Sequence, residues 1–121
     1  TGTIQIDGNI GAADPLRDLT ITNATNITFD GSIRLFGNLR IQKGANIVFN
    51  GAVNVDGNII IEEGATVTFN STVTAGGNLT VLKAGALGFN GNVSVGGDVT
   101  IGNSGTLTDV ASFTTAANVS L

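Results

Sequence analysis

Phenylalanine recurs at a constant interval through the middle of the chain, and this period constrains the fold more than any other feature. The rings stand at Phe29, Phe49, Phe69 and Phe89, which is a period of 20. A glycine followed by Asn or Asp repeats with the same period, at Gly37, Gly57, Gly77 and Gly97. Periods of this length are typical of solenoids, in which each repeat is one unit stacked on its neighbours. The 121 residues therefore predict a single repeat domain.

Within one period the apolar residues alternate, which is the spacing of strands and not of helices. Residues 39–58 give three short strands with two inward side chains each: Leu39 and Ile41, Ile47 and Phe49, Val53 and Val55. Turn-forming residues separate them at 42–46, 50–51 and 56–58. Identical strands that recur with this period must stack in parallel, at about 4.8 Å per coil. The sequence therefore predicts an all-β fold, a parallel β-solenoid (β-helix), and the crossover preference predicts that it is right-handed.

The regular coils cover only part of the chain. We assign 1–121 to one solenoid segment with four regular coils at 29–108 and an irregular last coil at 109–121. Residues 1–28 form a long first coil, because Ile4–Ile10 resembles Val53–Ile59 and leaves an excursion at 11–18 around the one proline. In the last coil Asp109 stands where a phenylalanine is expected, and Phe113 stands where Val93 predicts an aliphatic residue.

Stacked coils turn each repeated position into a column of side chains. The four phenylalanines predict a stack of rings in the core. Two columns of amides mark corners and predict hydrogen bonding along the axis: Asn38, Asn58 and Asn78 with Asp98, and Asn50, Asn70 and Asn90 with Asp30. The alternative is a calcium ladder, but calcium needs several converging carboxylates. Each column as aligned here has a single Asp, so we expect a structural role and no metal site.

An outward column of alternating charge is formed by Lys43, Glu63 and Lys83. Opposite charges on neighbouring strands favour one register, so we interpret it as a structural charge ladder. Glu62 and Glu63 are adjacent carboxylates, but neighbours on a strand point apart, and we expect solvated surface and not a catalytic pair. Phe36 is the one phenylalanine expected to face outward, where it would serve as a packing or contact point.

Composition excludes several classes of function. With no Cys and no His, thiol catalysis, Ser–His chemistry, disulfides and ordinary zinc sites are excluded. The net charge of −4 argues against binding to nucleic acid or anionic membranes. The longest apolar run, Ile59–Ile61, is too short to span a bilayer. We therefore expect a non-enzymatic protein without a cofactor.

The unit FNGNVSVGGDVTI at Phe89–Ile101 resembles repeats of giant bacterial surface adhesins, the exoproteins similar to filamentous haemagglutinin. The block at residues 8–21 resembles them too, so the resemblance extends over essentially the whole chain. It is a repeat signature and not a site signature. It implies an extracellular, cell-surface, rod-forming structural segment whose partners are adjacent coils. Any host receptor or glycan would then be bound through other domains.

The chain also resembles bactofilins, cytoskeletal solenoids that polymerise end to end, in its short aliphatic strands and Gly-Asn corners. The phenylalanine column, the Asn-Gly pairs and the proline-containing excursion depart from that family. The alternative that this resemblance implies is a self-assembling filament subunit, in which copies of the chain dock through open solenoid ends.

Overall fold

The fold is all-β and consists of parallel strands that wind around one core in about five turns. The computed structural model describes residues 2–11, 13–14, 16–108, 112–115 and 119–120, with side chains described up to Gly102. Up to residue 78, each regular coil contributes one strand to each of three faces, and beyond it one long strand crosses two of them. The prediction of a parallel β-solenoid with a repeat of about 20 residues is thereby confirmed.

The three faces are defined by their strands. Face 1 contains β2 (Leu19–Ile21), β5 (Leu39–Ile41), β8 (Ile59–Ile61) and β15 (Val119–Ser120). Face 2 contains β1 (Thr3–Ile6), β3 (Ala24–Phe29), β6 (Gly44–Phe49) and β9 (Gly64–Phe69). Two longer strands, β11 (Leu79–Phe89) and β13 (Val99–Thr108), run across both of these faces. Face 3 contains β4 (Ile33–Leu35), β7 (Val53–Val55), β10 (Val73–Ala75), β12 (Asn92–Val95) and β14 (Ser112–Thr115).

The register between regular coils follows the period of the sequence on every face. Leu39 pairs with Ile59 on face 1, Phe49 with Phe69 on face 2, and Val53 with Val73 on face 3. All six inward positions proposed for residues 39–58 are buried. Among the side chains that the structure describes, no polar or charged one is buried. The core is therefore a purely apolar column that neighbouring coils share.

The first corner is shorter than the sequence indicated. Strand β6 already begins at Gly44, so the corner consists of Gln42 and Lys43 and not of residues 42–46. Face 2 consequently has a third inward column, made of small residues: Ala24, Gly44, Gly64 and Ala84. A Cβ on Gly44 would lie 3.0 Å from the Ile27 and Ile47 side chains, which fill the space that a larger residue would need.

The first coil has a different register from the one expected. Ile4 pairs with Ile27 and Ile10 with Ile33, so Ile4–Ile10 is equivalent to Ile27–Ile33 and not to Val53–Ile59. The alignment of the sequence would instead have placed Ile4 beside Ile33. The additional residues of this coil lie between Ile10 and Leu16, which pairs with Leu35. Residues 7–10 have an Asp-Gly sequence followed by a polar and an aliphatic residue, and so do both candidate equivalents, residues 30–33 and 56–59. The sequence alone therefore fits either register.

At the other end, the backbone of Phe113 pairs with that of Val93, at the position expected from the repeat. Asp109 lies outside the described residues. The described part of the chain contains no helix that is long and apolar enough to cross a membrane.

Candidate functional site

The four phenylalanine rings form a continuous stack inside face 2. Their centroids are 5.1, 4.6 and 5.1 Å apart, and the planes of successive rings differ by 8°, 2° and 6°. Each ring is at most 1% exposed. The parallel register fixes this geometry because equivalent residues must lie one strand spacing apart. The stack stabilises the axis of the molecule and offers no surface to a ligand.

Three asparagines and one aspartate at the corner after face 2 form a column of hydrogen-bonded side chains, which we call the amide ladder: Asp30, Asn50, Asn70 and Asn90. Each asparagine donates its Nδ2 hydrogen to the Oδ1 atom one coil below, at 2.7, 2.7 and 2.6 Å. All of the bonds therefore point the same way, and the ladder needs only an acceptor at its base. Asp30 supplies that acceptor as a carboxylate.

The second corner column works differently. Here the Oδ1 atoms of Asn38, Asn58 and Asn78 accept hydrogen bonds from the backbone N–H groups one coil above, at 2.8–2.9 Å. Asp18 begins this column by accepting from the Asn38 N–H at 2.7 Å. The side chains thus satisfy backbone donors at a corner where the strand ladder is interrupted. These oxygen atoms are engaged in hydrogen bonds to the backbone of the next coil.

Asp7 and Asp18 also lie in the corner columns, which their sequence positions did not indicate. Asp7 follows Ile6, which pairs with Phe29, so Asp7 lies one coil below Asp30. The Gln5 Nε2 atom donates to Asp7 at 2.9 Å and to Asp30 at 3.4 Å. One amide thus bridges two carboxylates that cannot donate to each other. Asp7 and Asp30 are each followed by glycine, and this shared Asp-Gly sequence could have indicated that they lie in the same column.

Two of the surface ion pairs run diagonally between coils. Arg34 contacts Asp56 through both carboxylate oxygens, at 2.8 and 3.2 Å, and Arg40 contacts Glu62 at 2.6 Å. The hydrogen bond to Asp56 raises the pKa of Arg34, while desolvation acts against that shift. Exposed pairs of this kind contribute little to stability, so they favour the register more than they strengthen the fold.

The charge ladder residues Lys43, Glu63 and Lys83 lie in one exposed column. Within the described residues, none of the ion pairs joins any two of them. Lys43 and Glu63 border a shallow surface depression together with Asn23 and Thr25. The alternating charges are therefore neighbours on the surface that form no ion pair with one another.

Among the side chains that the structure describes, three large apolar ones are exposed: Leu16, Phe36 and Leu82, at 47, 53 and 49%. Phe36 faces outward as expected. Its backbone N–H donates to the Leu16 carbonyl at 2.9 Å, so these two residues lie on successive coils. The backbone of Leu16 itself pairs with that of the buried Leu35.

The side of the first coil that faces away from the second coil is an apolar surface, which the sequence pattern did not indicate. Ile4, Ile6, Ile10 and Leu19 pack against the core but are only partly buried, whereas the equivalent residues of the next coils are almost fully buried. We call these four residues the first-coil end surface. Strand β1 has a partner on one side only within the described sheet. This surface has the apolar pattern that each interior coil presents to the coil below it.

Across the described residues, no three His, Cys, Asp or Glu side chains are grouped so that they could hold a metal ion. No family model, curated protein or solved structure matches the chain.

Proposed function

We propose that the chain is a rod-forming structural segment of an extracellular bacterial adhesin or surface fibre, without catalytic activity. The observation that supports this proposal is the uniformity of the coils. The same inward side chains, the same ring stack and the same corner hydrogen bonds recur with each coil. A structure of this kind grows along its axis by about 4.8 Å per coil without a change in cross-section. It serves to separate other domains by a set distance.

Surface labelling tests the location that this proposal requires. An antibody raised against the purified chain is expected to label intact cells that produce the protein, to the same extent as permeabilised cells. Protease added to intact cells should remove the signal, while a cytoplasmic marker protein stays intact. Labelling that appears only after permeabilisation would contradict an extracellular role.

The second candidate function is a self-assembling filament subunit, and the first-coil end surface favours it. Exposed strand edges recruit other strands, and the partly covered Ile4, Ile6, Ile10 and Leu19 would be buried by a further coil. A coil from another copy of the chain fits this surface because it has the same cross-section. In a longer rod, a neighbouring coil of the same polypeptide would cover the same residues.

Light scattering and negative-stain microscopy at rising concentration separate the two candidates. Short monomeric rods that persist at every concentration would support the rod segment. Filaments one solenoid wide would instead support the subunit. In that case Ile4→Lys with Ile6→Lys should abolish the filaments, whereas the exposed neighbour Thr3→Lys should leave them intact.

A further inference from the structure

Two corners of the amide ladder have an Asn-Gly sequence, Asn50-Gly51 and Asn90-Gly91. In such a sequence the glycine backbone nitrogen can attack the Cγ atom of the asparagine side chain. The new N–C bond closes a succinimide, and the Nδ2 atom leaves as ammonia. Water then opens the ring to aspartate or to isoaspartate. The reaction needs only water as co-reactant and an asparagine side chain that is free to rotate toward the glycine nitrogen.

The structure leaves the attacking nitrogen atoms unprotected. Within the part of the chain that the structure describes, the N–H groups of Gly51 and Gly91 make no hydrogen bond. Asn50 and Asn90 are both exposed, so water reaches them. Packing favours glycine over any larger residue at position 51, because an added Cβ on Gly51 would collide with the Gly31 carbonyl one coil below. The tight stacking of the coils therefore favours a reactive dipeptide at this corner.

What restrains these asparagines is the amide ladder. Asn50 is held on both sides, since it donates to Asp30 at 2.7 Å and accepts from Asn70 at 2.7 Å. Asn90 donates to Asn70 at 2.6 Å, but the residue one period above it in the sequence is Val110, which has no side-chain amide. Rotation toward the glycine nitrogen breaks two ladder bonds at Asn50 and one at Asn90.

We propose that Asn50 and Asn90 are sites of spontaneous deamidation that the folded amide ladder slows, with Asn50 the better protected of the two. Loss of the ladder exposes both sites. Conversion of Asn50 to aspartate would place a carboxylate where Asn50 now donates to the Asp30 carboxylate. Isoaspartate would also lengthen the main chain by one carbon at a corner that has no room for a methyl group. Deamidation at Asn50 is therefore a lesion that destabilises this corner.

The test is peptide mapping by mass spectrometry, with fragmentation that distinguishes isoaspartate, after incubation of the chain at mildly alkaline pH with and without guanidinium. Each ladder bond corresponds to a factor of about five in rate. Folding should therefore slow Asn50 by at least about 25-fold and Asn90 by at least about fivefold. Equal rates in the folded and unfolded chains would overturn the proposal, as would faster reaction at Asn50 than at Asn90 in the folded chain.

A matched pair of variants distinguishes the ladder from general rigidity. Asn70→Asp still accepts from Asn90 but can no longer donate to Asn50, so Asn50 should react about fivefold faster while Asn90 stays unchanged. Asn58→Asp adds the same charge at the other corner column, where an oxygen is all that the Asn78 N–H requires. This control should change neither rate, provided that circular dichroism shows both variants folded. An unchanged Asn50 rate in Asn70→Asp, or an equal rise in Asn58→Asp, would contradict the proposal.

Discussion

Phe69→Asp is expected to abolish the cooperative unfolding transition of the chain. The Phe69 ring is 1% exposed and lies between Phe49 and Phe89, with centroids 4.6 and 5.1 Å away. Loss of a buried phenylalanine costs about 3–5 kcal/mol through the cavity and the lost transfer energy. Burial of an unpaired carboxylate costs several kcal/mol more. The sum is comparable with the whole stability of an ordinary domain, about 5–15 kcal/mol.

Thermal unfolding followed by far-ultraviolet circular dichroism measures this effect. The matched control is Thr66→Asp, which adds the same charge at an exposed position of the same strand, β9. We expect its free energy of unfolding to stay within about 0.5 kcal/mol of the parent. If Phe69→Asp melted like the parent chain, the inward register of face 2 would be wrong.

The regular coils could be predicted from the sequence because their period and their alternation agree. Each coil has three pairs of inward residues, such as Leu39 and Ile41. They could be identified because the members of a pair are two residues apart and each pair recurs every 20 residues. The structure buries these positions because a parallel register transfers the same side chain to the same place in every coil. Repetition thus supplies long-range information that a single amphipathic strand does not contain.

The small inward column on face 2 could not be predicted in this way. Gly44 and Gly64 have the composition of a corner, since glycine is common in turns. Their inward position depends on the size of the Ile27, Ile47 and Val67 side chains, which fill the core beside them. That is a property of packing in three dimensions, and hydropathy patterns do not report it.

The surface ion pairs were missed for a different reason. Residues 20 apart lie in one column, but Arg34 and Arg40 reach carboxylates 22 residues along, at Asp56 and Glu62. Arginine is long enough to pair diagonally, one coil up and two residues forward. The Lys43, Glu63 and Lys83 column has the right sequence spacing but forms no ion pair. Side-chain length, and not only register, decides which charges meet.

Gly57→Ala is the second substitution for which we expect a large effect, a loss of about 3–5 kcal/mol in the free energy of unfolding. A Cβ at Gly57 would collide with the Gly37 carbonyl oxygen and lie 2.5 Å from the Asn38 Oδ1 atom. Separation of the two coils would also weaken two bonds of 2.9 Å, from the Gly57 N–H to Gly37 and from the Asn58 N–H to Asn38. For a domain of this size the melting temperature should fall by about 10–20 °C.

Gly8→Ala provides the control because it makes the same change where nothing lies within 4 Å of the added Cβ. It should be neutral or stabilise the chain by up to about 1 kcal/mol, since alanine lowers the entropy of the unfolded state. Differential scanning calorimetry on both variants gives the comparison. A backbone carbonyl cannot move aside as a flexible side chain can, so equal stability of Gly57→Ala and Gly8→Ala would mean that the coils are not packed closely at this corner.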